Sequence, residues 1–160
     1  MRIVGIDPAL TRTGYGVIDF SKKQATLLEA GIIRTSVSST LPRRLAKIYD
    51  AVTALIADTK SEIMVVEKLY AHWRHPATAF VLGQARGVIC LASAAARINF
   101  VEYSATRVKK AIVGRGHASK DQVQRMVAHT LGLKEPVQYS DITDALALAL
   151  THGWIMQAKV

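Results

Sequence analysis

Hydrophobic and polar positions in the first part of the chain follow the pattern of β-strands separated by polar turns. An apolar run over residues 2–7 ends on Asp7, and residues 14–20 and 26–33 form two further runs of this kind. The polar turn Ser21-Lys22-Lys23-Gln24 joins the second run to the third. This arrangement predicts an antiparallel meander of three strands.

The rest of the chain alternates between helical and strand-like spacing. Apolar positions recur every three to four residues from Leu41 to Thr59, behind the helix-start signal of Thr40 and Pro42. Further strands are predicted at 63–67 and 99–103, and helices at 76–97, 105–112, 119–131 and 141–156. The order of elements predicts a single α/β domain over residues 1–160, with a five-stranded mixed sheet and helices on both of its faces.

Carboxylates end two of these strands and begin the last helix. Asp7 ends the first strand, where Gly5 leaves room on the same face, and Glu67 ends the strand at 63–67. If these strands are parallel neighbours, their acids converge at one edge of the sheet. Asp141 and Asp144 share one face of the last helix. Taken alone, that pair is also explained by capping of the helix N-terminus, which favours acids.

Four carboxylates in one place would repel one another unless cations joined them. Oxygen ligands of this kind suit Mg²⁺ or Mn²⁺, and two divalent ions balance four negative charges. Two ions roughly 3.5–4 Å apart can promote attack by water on a phosphodiester and stabilise the leaving 3′ oxygen. The five histidines form no short metal motif, and we interpret them as surface or packing residues: His72, His75, His117, His129 and His152.

The charge of the chain is strongly basic, which favours a polyanionic partner. Lysine and arginine number 21 against 12 acids, a net charge of +9. Seven cationic and two acidic residues lie between Arg97 and Arg125. Within this segment, VGRGHASKDQ combines two glycines with a Ser119-x-x-Gln122 capping box that places Lys120 in the first turn of a helix. This predicts a phosphate-binding surface, and a solvated connection between helices is the alternative.

A second basic segment, EKLYAHWRHP, follows the strand at 63–67. It interleaves Tyr70 and Trp73 with Lys68 and Arg74. Aromatic rings beside cations suit stacking on an unpaired base, while burial of one ring in the core would explain the pattern equally well.

Other features narrow the class of protein. The longest uncharged apolar stretches, 87–96 and 145–156, are shorter than the roughly 20 residues of a membrane span, so we expect no membrane partner. Arg2 and Asp7 interrupt the apolar run that a signal peptide needs, so a cytoplasmic location is expected. Cys90 is the single cysteine and is predicted to be a small core residue.

In these motifs the chain resembles the RuvC-type Holliday-junction resolvases of bacteria, members of the ribonuclease H-like superfamily. The resemblance spans nearly the whole chain and rests on GIDPALTRTGYGVI, VVEKLY, LGQARGV, TRVKKAIVGRGHASKDQVQRMV and SDITDALALALTH, in the family's order and spacing. It implies a homodimeric, Mg²⁺-dependent endonuclease that nicks two opposed strands of four-way DNA junctions during recombination and repair. A branch-migration motor complex is a further partner that it suggests.

The resemblance also implies roles for individual residues. Asp7, Glu67, Asp141 and Asp144 correspond to the catalytic, metal-binding carboxylates, with two Mg²⁺ ions that Mn²⁺ can replace. Lys109 and Lys120 correspond to lysines near the scissile phosphate, and Tyr70 to a base-stacking phenylalanine. The remaining residues expected to contact the DNA are Lys68, Trp73, Arg74, Lys110, Arg115 and Arg125.

The chain departs from the family pattern at a few positions. Ala9 replaces a glycine that usually follows Asp-Pro, and Glu67 is followed by Lys-Leu-Tyr instead of Gln-Val-Phe. In the helix after Pro76, small residues recur every four positions, at Ala79, Gly83 and Gly87. They predict close approach of another element, which is either the sheet or a second subunit.

Three other functions fit parts of the sequence. A nucleotide-binding domain of the actin and sugar-kinase type opens on a similar Gly-Ile-Asp strand, but such proteins are longer and carry a second glycine-rich phosphate loop. A nuclease of the same superfamily acting on RNA would not share GQARG or DITDALALA. A junction binder without catalytic activity would have no need of all four acids.

Overall fold

The computed structural model describes residues 1–68, 76–135 and 137–158 and contains a five-stranded sheet in the order β3-β2-β1-β4-β5. The strands are β1 (Arg2–Asp7), β2 (Arg12–Ser21), β3 (Gln24–Arg34), β4 (Ile63–Glu67) and β5 (Asn99–Tyr103). The helices are α1 (Leu41–Thr59), α2 (Pro76–Ala95), α3 (Ala105–Val113), α4 (Lys120–Thr130) and α5 (Ser140–Gln157). The predicted α/β class and the predicted elements are confirmed, with boundaries that differ by a few residues.

The pairing of the strands brings the two strand-end acids to the same edge. β1 pairs antiparallel with β2 and β2 with β3, which confirms the meander, whereas β1 with β4 and β4 with β5 are parallel. Ile6 lies beside Val66 in the parallel pair. Asp7 and Glu67 are the next residues along these two strands, so both carboxylates leave the sheet at one end.

Helices cover both faces of the sheet because its central strands alternate between two cores. Ile3 and Val65 face one apolar cluster, which includes residues of α3, α4 and α5. Val4 and Met64 face the other cluster, with residues of α1 and α2. The expected flanking of the sheet on both faces is therefore confirmed.

Three glycines on β1 and β2 let α5 lie directly against the sheet. A Cβ atom at Gly5 would lie 1.9 Å from the backbone oxygen of Ala145, and one at Gly14 would lie 2.2 Å from that of Asp141. At Gly16 it would lie 2.4 Å from a side-chain carbon of Leu146. Larger residues would push the helix away, so these glycines set the position of the first two turns of α5.

α2 is buried on one side and exposed on the other, which corrects one prediction and bears on a second that the sequence leaves open. Ala85, Ile89 and Ala92 are buried, but Cys90 is exposed, so its prediction as a core residue was wrong. A residue that directly follows a buried one in a helix points about 100° away from it. A Cβ at Gly83 or Gly87 would meet no described atom within 4 Å, so these glycines do not pack on the sheet.

By length and composition alone, Ala77–Ala95 could cross a membrane, with a mean hydropathy of 1.4. In the sequence, Arg86 interrupts this apolar run, so the uncharged stretch after it, 87–96, is too short for a membrane span. In the fold, this arginine donates to the backbone oxygen of Glu67 at 2.6 Å and pairs with the carboxylate of Glu102. We therefore interpret α2 as a helix of the domain with an exposed apolar side.

Candidate active site

Four carboxylates meet at the edge of the sheet where β1 and β4 end. Burial first, and then the negative charges of Asp144, Asp141 and Glu67 in that order of effect, together raise the pKa of Asp7 to about 7, against a smaller opposing effect of Lys120. Burial and Asp144 also raise the pKa of Glu67, and burial raises that of Asp144. These mutual effects show that the fold places the four predicted carboxylates close enough to act on one another.

Two lysines line the side of this cluster that faces α3 and α4. Lys120 Nζ lies 3.8 Å from Asp144 Oδ2, and Lys109 acts to lower the pKa of both Glu67 and Asp144. A cleft of about 230 Å³ is lined by Glu67, Asp144 and the two lysines. An anionic group entering this cleft would meet two cations beside the carboxylates.

The predicted capping box holds Lys120 in place. Ser119 Oγ accepts from the backbone N–H of Gln122 at 3.2 Å, and Gln122 Oε1 accepts from that of Ser119 at 3.0 Å. Both bonds close the first turn of α4, where Lys120 is the first residue. The Ser119-x-x-Gln122 motif therefore correctly predicted the hydrogen-bonded turn that positions Lys120.

Arg12 is a residue of the site that sequence reasoning missed. Its Nη2 lies 3.2 Å from Oδ2 of Asp141. Arg12 is the first residue of β2, and β2 runs antiparallel to β1, so it begins at the edge where Asp7 ends. An arginine at the start of the second strand of a meander is the signal that could have identified it.

The loop between β1 and β2 is braced by side-chain hydrogen bonds and tolerates the unusual alanine. Thr13 Oγ1 donates to the backbone oxygen of Ala9 at 2.6 Å and accepts from its N–H at 3.3 Å. Arg44 donates to the hydroxyls of Thr35 and Thr11 at 2.9 Å each. Ala9 is not among the non-glycine residues with a positive φ angle. Alanine therefore replaces the expected glycine without backbone strain.

The other predicted DNA contacts lie on exposed surface or outside the described residues. Lys68 is exposed, and its backbone N–H donates to Tyr103 O at 2.8 Å. Lys110, Arg115 and Arg125 are exposed on α3, on the connection after it and on α4. The remaining three predicted contacts lie outside the described residues: Tyr70, Trp73 and Arg74.

Comparison with known proteins assigns this arrangement to a family. Residues 3–152 match the family model described as crossover junction endodeoxyribonuclease RuvC. The chain belongs to the RuvC family. A RuvC of this description from Rhodopirellula baltica is 42% identical over 153 residues, covering 96% of this chain and 86% of the relative. One from Moorella thermoacetica is 43% identical over 153 residues, with coverage of 96% and 91%.

Solved RuvC structures share the whole fold. Thermus thermophilus RuvC has a TM-score of 0.92 and 33% identity, covering 99% of this chain and 97% of that chain. The same organism's RuvC in complex with Holliday junction substrate has a TM-score of 0.93 and 32% identity, covering 99% and 96%. The yeast mitochondrial Holliday junction resolvase Ydc2, at 12% identity and a TM-score of 0.69, is similar in fold. The predicted resemblance and the ribonuclease H-like fold are confirmed.

The carboxylates fit the divalent metal ions that membership of the RuvC family implies, by the chemistry of their donors. Four acidic side chains face three nearby cations, Lys109, Lys120 and Arg12, and the pKa of Asp7 is raised to about 7. Within residues 1–68, 76–135 and 137–158, no set of three or more acidic, histidine or cysteine side chains is arranged to hold a metal ion as it stands. The excess of negative charge and the carboxylate oxygen donors favour divalent cations.

The raised pKa of Asp7 predicts how the stability of the metal-free chain depends on pH. Because its pKa is about 7 when folded and 3.8 ordinarily, the folded state binds this proton more tightly than the unfolded state. The resulting stabilisation is full below about pH 4 and is lost as the pH rises through about 7. We expect the melting temperature of the wild type, relative to that of Asp7→Asn, to fall over this interval.

Thermal unfolding of both proteins between pH 4 and 8, in chelator and in Mg²⁺, measures this difference. Mg²⁺ should reduce the fall because bound cations favour the ionised carboxylates. A difference between wild type and Asp7→Asn that stays constant with pH in chelator would contradict the raised pKa.

Proposed function

We propose that this chain is a structure-selective endonuclease that resolves four-way DNA junctions during homologous recombination and repair. It cuts two opposed strands by hydrolysis of phosphodiester bonds. The observation that carries this proposal is the cluster of four carboxylates, flanked by lysines, in a chain of the RuvC family. The Thermus thermophilus RuvC structure in complex with Holliday junction substrate supports the same substrate class.

Asp7, Glu67, Asp141 and Asp144 would hold two divalent metal ions, Mg²⁺ in the cell, with Mn²⁺ as a substitute. Such ions supply positive charge for the attack of water on phosphorus and for the departure of the 3′ oxygen. Lys109 and Lys120 lie where they can hold the non-bridging oxygens of the scissile phosphate. Arg86 fixes the backbone of Glu67 through its 2.6 Å hydrogen bond, which keeps that carboxylate at the cluster.

Metal titration tests the proposed pair of ions. With junction DNA saturating, the single-turnover cleavage rate should rise with the square of the Mg²⁺ concentration at low concentration and vanish in chelator. Calorimetric titration of the protein with Mn²⁺ should give two ions per chain in the wild type and fewer in Asp7→Asn. First-order dependence with one bound ion would contradict the two-ion site.

A homodimer is proposed through the exposed side of α2. Phe80, Gly83, Gly87 and Leu91 form a stripe at helical spacing, called here the α2 stripe. Phe80 is 69% exposed and Leu91 58% exposed, and the glycines leave open space for a second backbone. A second copy on a two-fold axis would cover this surface and present two active sites to a junction with two opposed strands to cut.

Leu91→Glu should convert the dimer to a monomer, because it places a charge in the α2 stripe. The leucine is exposed in the single chain, so the substitution should leave the fold intact. Sedimentation equilibrium measures the change, with Leu28→Glu as a matched control, since Leu28 is also exposed but lies on β3. A wild type that is strictly monomeric at micromolar concentration would contradict the dimer.

Two further points follow as proposals. We infer a cytoplasmic location, which the proposed DNA substrate supports. We also propose that a branch-migration motor complex brings junctions to this enzyme. Co-migration of the motor complex and this protein on junction DNA would test that proposal.

A further inference from the structure

Two arginines lie side by side at the same end of the sheet as the carboxylates. Arg12 is paired directly with Arg34 across β2 and β3. Like charges in directly opposite positions destabilise a sheet. Arg12 is balanced in part by Asp141 at 3.2 Å, but Arg34 has no carboxylate within 4.0 Å among residues 1–68, 76–135 and 137–158. The fold therefore keeps a concentration of positive charge here at a cost.

The aromatic ring of Tyr139 lies close to the guanidinium groups of both arginines. The guanidinium carbon of Arg34 lies 5.0 Å from the ring centroid of Tyr139, and that of Arg12 lies 5.9 Å from it. Tyr139 is the N-cap residue of α5, two residues before Asp141. Cations within about 6 Å of an aromatic ring are attracted to it. The ring therefore links the two arginines to the helix that carries two of the acids.

The position of this group in the sheet places it opposite the lysines. Along the order β3-β2-β1-β4, the strand ends carry Arg34, Arg12, Asp7 and Glu67 in turn. Neighbouring strands are about 4.8 Å apart and Arg34 lies two residues beyond the position opposite Asp7, so the two backbones are roughly 12 Å apart. Lys109 and Lys120 line the cleft on the Glu67 and Asp144 side. The carboxylates thus lie between two cationic groups.

A nucleic acid strand bound at the carboxylates would reach the two arginines within a few nucleotides. DNA carries one phosphate for about every 3.4 Å of rise along each strand, so phosphates next to the one at the acids lie within the distance to Arg34. Guanidinium groups bind phosphate oxygens through two parallel N–H donors, and Arg34 has its donors free of any acid partner in the described part of the chain.

We propose that Arg12, Arg34 and Tyr139, called here the arginine ledge, bind backbone phosphates of the junction next to the scissile phosphate. The ledge holds the arm on the β2–β3 side of the site, while the lysines act at the scissile phosphate on the other side. The proposal rests on the proposed function, since it names a contact of the same substrate. Phosphate contacts of this kind position the DNA without reading its sequence.

Junction binding over a range of salt concentrations tests the ledge, with Ca²⁺ in place of Mg²⁺ so that binding is measured without cleavage. Arg34→Gln should weaken binding by about 3- to 10-fold and reduce the slope of log K against log salt by about 0.9, the value for one phosphate contact. Arg34→Lys should keep most of the slope, because it keeps the charge.

Lys23→Gln is the matched control, since Lys23 is exposed on the same hairpin but at its turn, at the opposite end of the sheet. It also removes one positive charge, and we expect it to show the same slope and the same affinity as the wild type. Equal slopes and affinities for Arg34→Gln and Lys23→Gln would overturn the ledge.

Failure of the ledge and failure of the proposed function give different results. If the wild type binds and cuts the junction while Arg34→Gln behaves as the control does, the ledge alone is refuted. If the wild type neither binds nor cuts four-way junctions, both the proposed function and the arginine ledge are refuted. Melting temperatures of all variants at or above that of the wild type ensure that folded proteins are compared.

Discussion

Asp7→Asn should lower the rate of junction cleavage on the order of 10³-fold or more, while the protein still binds the junction. Asp7 lies at the tip of β1, and the other three carboxylates all act on its pKa, so it is in electrostatic contact with the whole cluster. Asparagine keeps the shape but removes the charge. Metal ions contribute several kcal/mol of transition-state stabilisation, and each 1.36 kcal/mol corresponds to tenfold in rate.

Single-turnover cleavage and equilibrium binding in Ca²⁺, measured on the same junction, separate the two effects. Asp50→Asn, an exposed acid on α1, makes the same chemical change away from the site and should cut at the wild-type rate. Cleavage by Asp7→Asn at the wild-type rate would refute the site. A loss of binding as large as the loss of rate would show that Asp7 serves to assemble the complex.

Gly5→Ala should lower the free energy of unfolding by about 3 kcal/mol or more and thereby disrupt the site. The added Cβ would lie 1.9 Å from the backbone oxygen of Ala145, and a backbone atom cannot move aside without moving α5. Overpacking of a core costs about 1–3 kcal/mol even where side chains can adjust. Displacing α5 would also displace Asp141 and Asp144 from the strand-end acids.

Urea unfolding of Gly5→Ala and of Gly83→Ala, both made in the Leu91→Glu background so that the α2 stripe is not part of a dimer contact, measures this cost. Gly83 is a helical glycine with no described atom within 4 Å of an added Cβ, so alanine there should stabilise the chain by up to about 1 kcal/mol. If Gly5→Ala unfolded at the wild-type urea concentration and cut junctions normally, the close packing of α5 on β1 would be wrong.

Local pattern and chemistry were sufficient to predict the elements and the acids. The meander, the helix over 41–59 and the capping box at Ser119 depend on residues close together in the chain, where periodicity and capping act. The convergence of Asp7 and Glu67 followed from one further assumption, that their strands are parallel neighbours. The pairing of Ile6 with Val66 confirms that assumption.

The features that sequence reasoning missed depend on register or on which side of a helix is buried. The contact of Arg12 with Asp141 joins residues 129 positions apart and depends on the close packing of α5 against Gly14. Cys90 was misplaced because α2 is apolar on all sides, so its periodicity does not show which side faces the core. The exposed apolar side is the surface at which we propose that a second chain binds.

The central claim is that this chain cuts two opposed strands of a four-way junction with a metal site built on Asp7, Glu67, Asp141 and Asp144. The most direct measurement is cleavage of a four-way DNA junction in which each strand is labelled in turn, with and without Mg²⁺. We predict cuts at symmetry-related positions in two opposed strands, nicked duplexes that ligase can seal, and no cleavage in chelator. Equal cutting of linear duplex, a preference for RNA hairpins, or cleavage that persists in chelator would contradict the account.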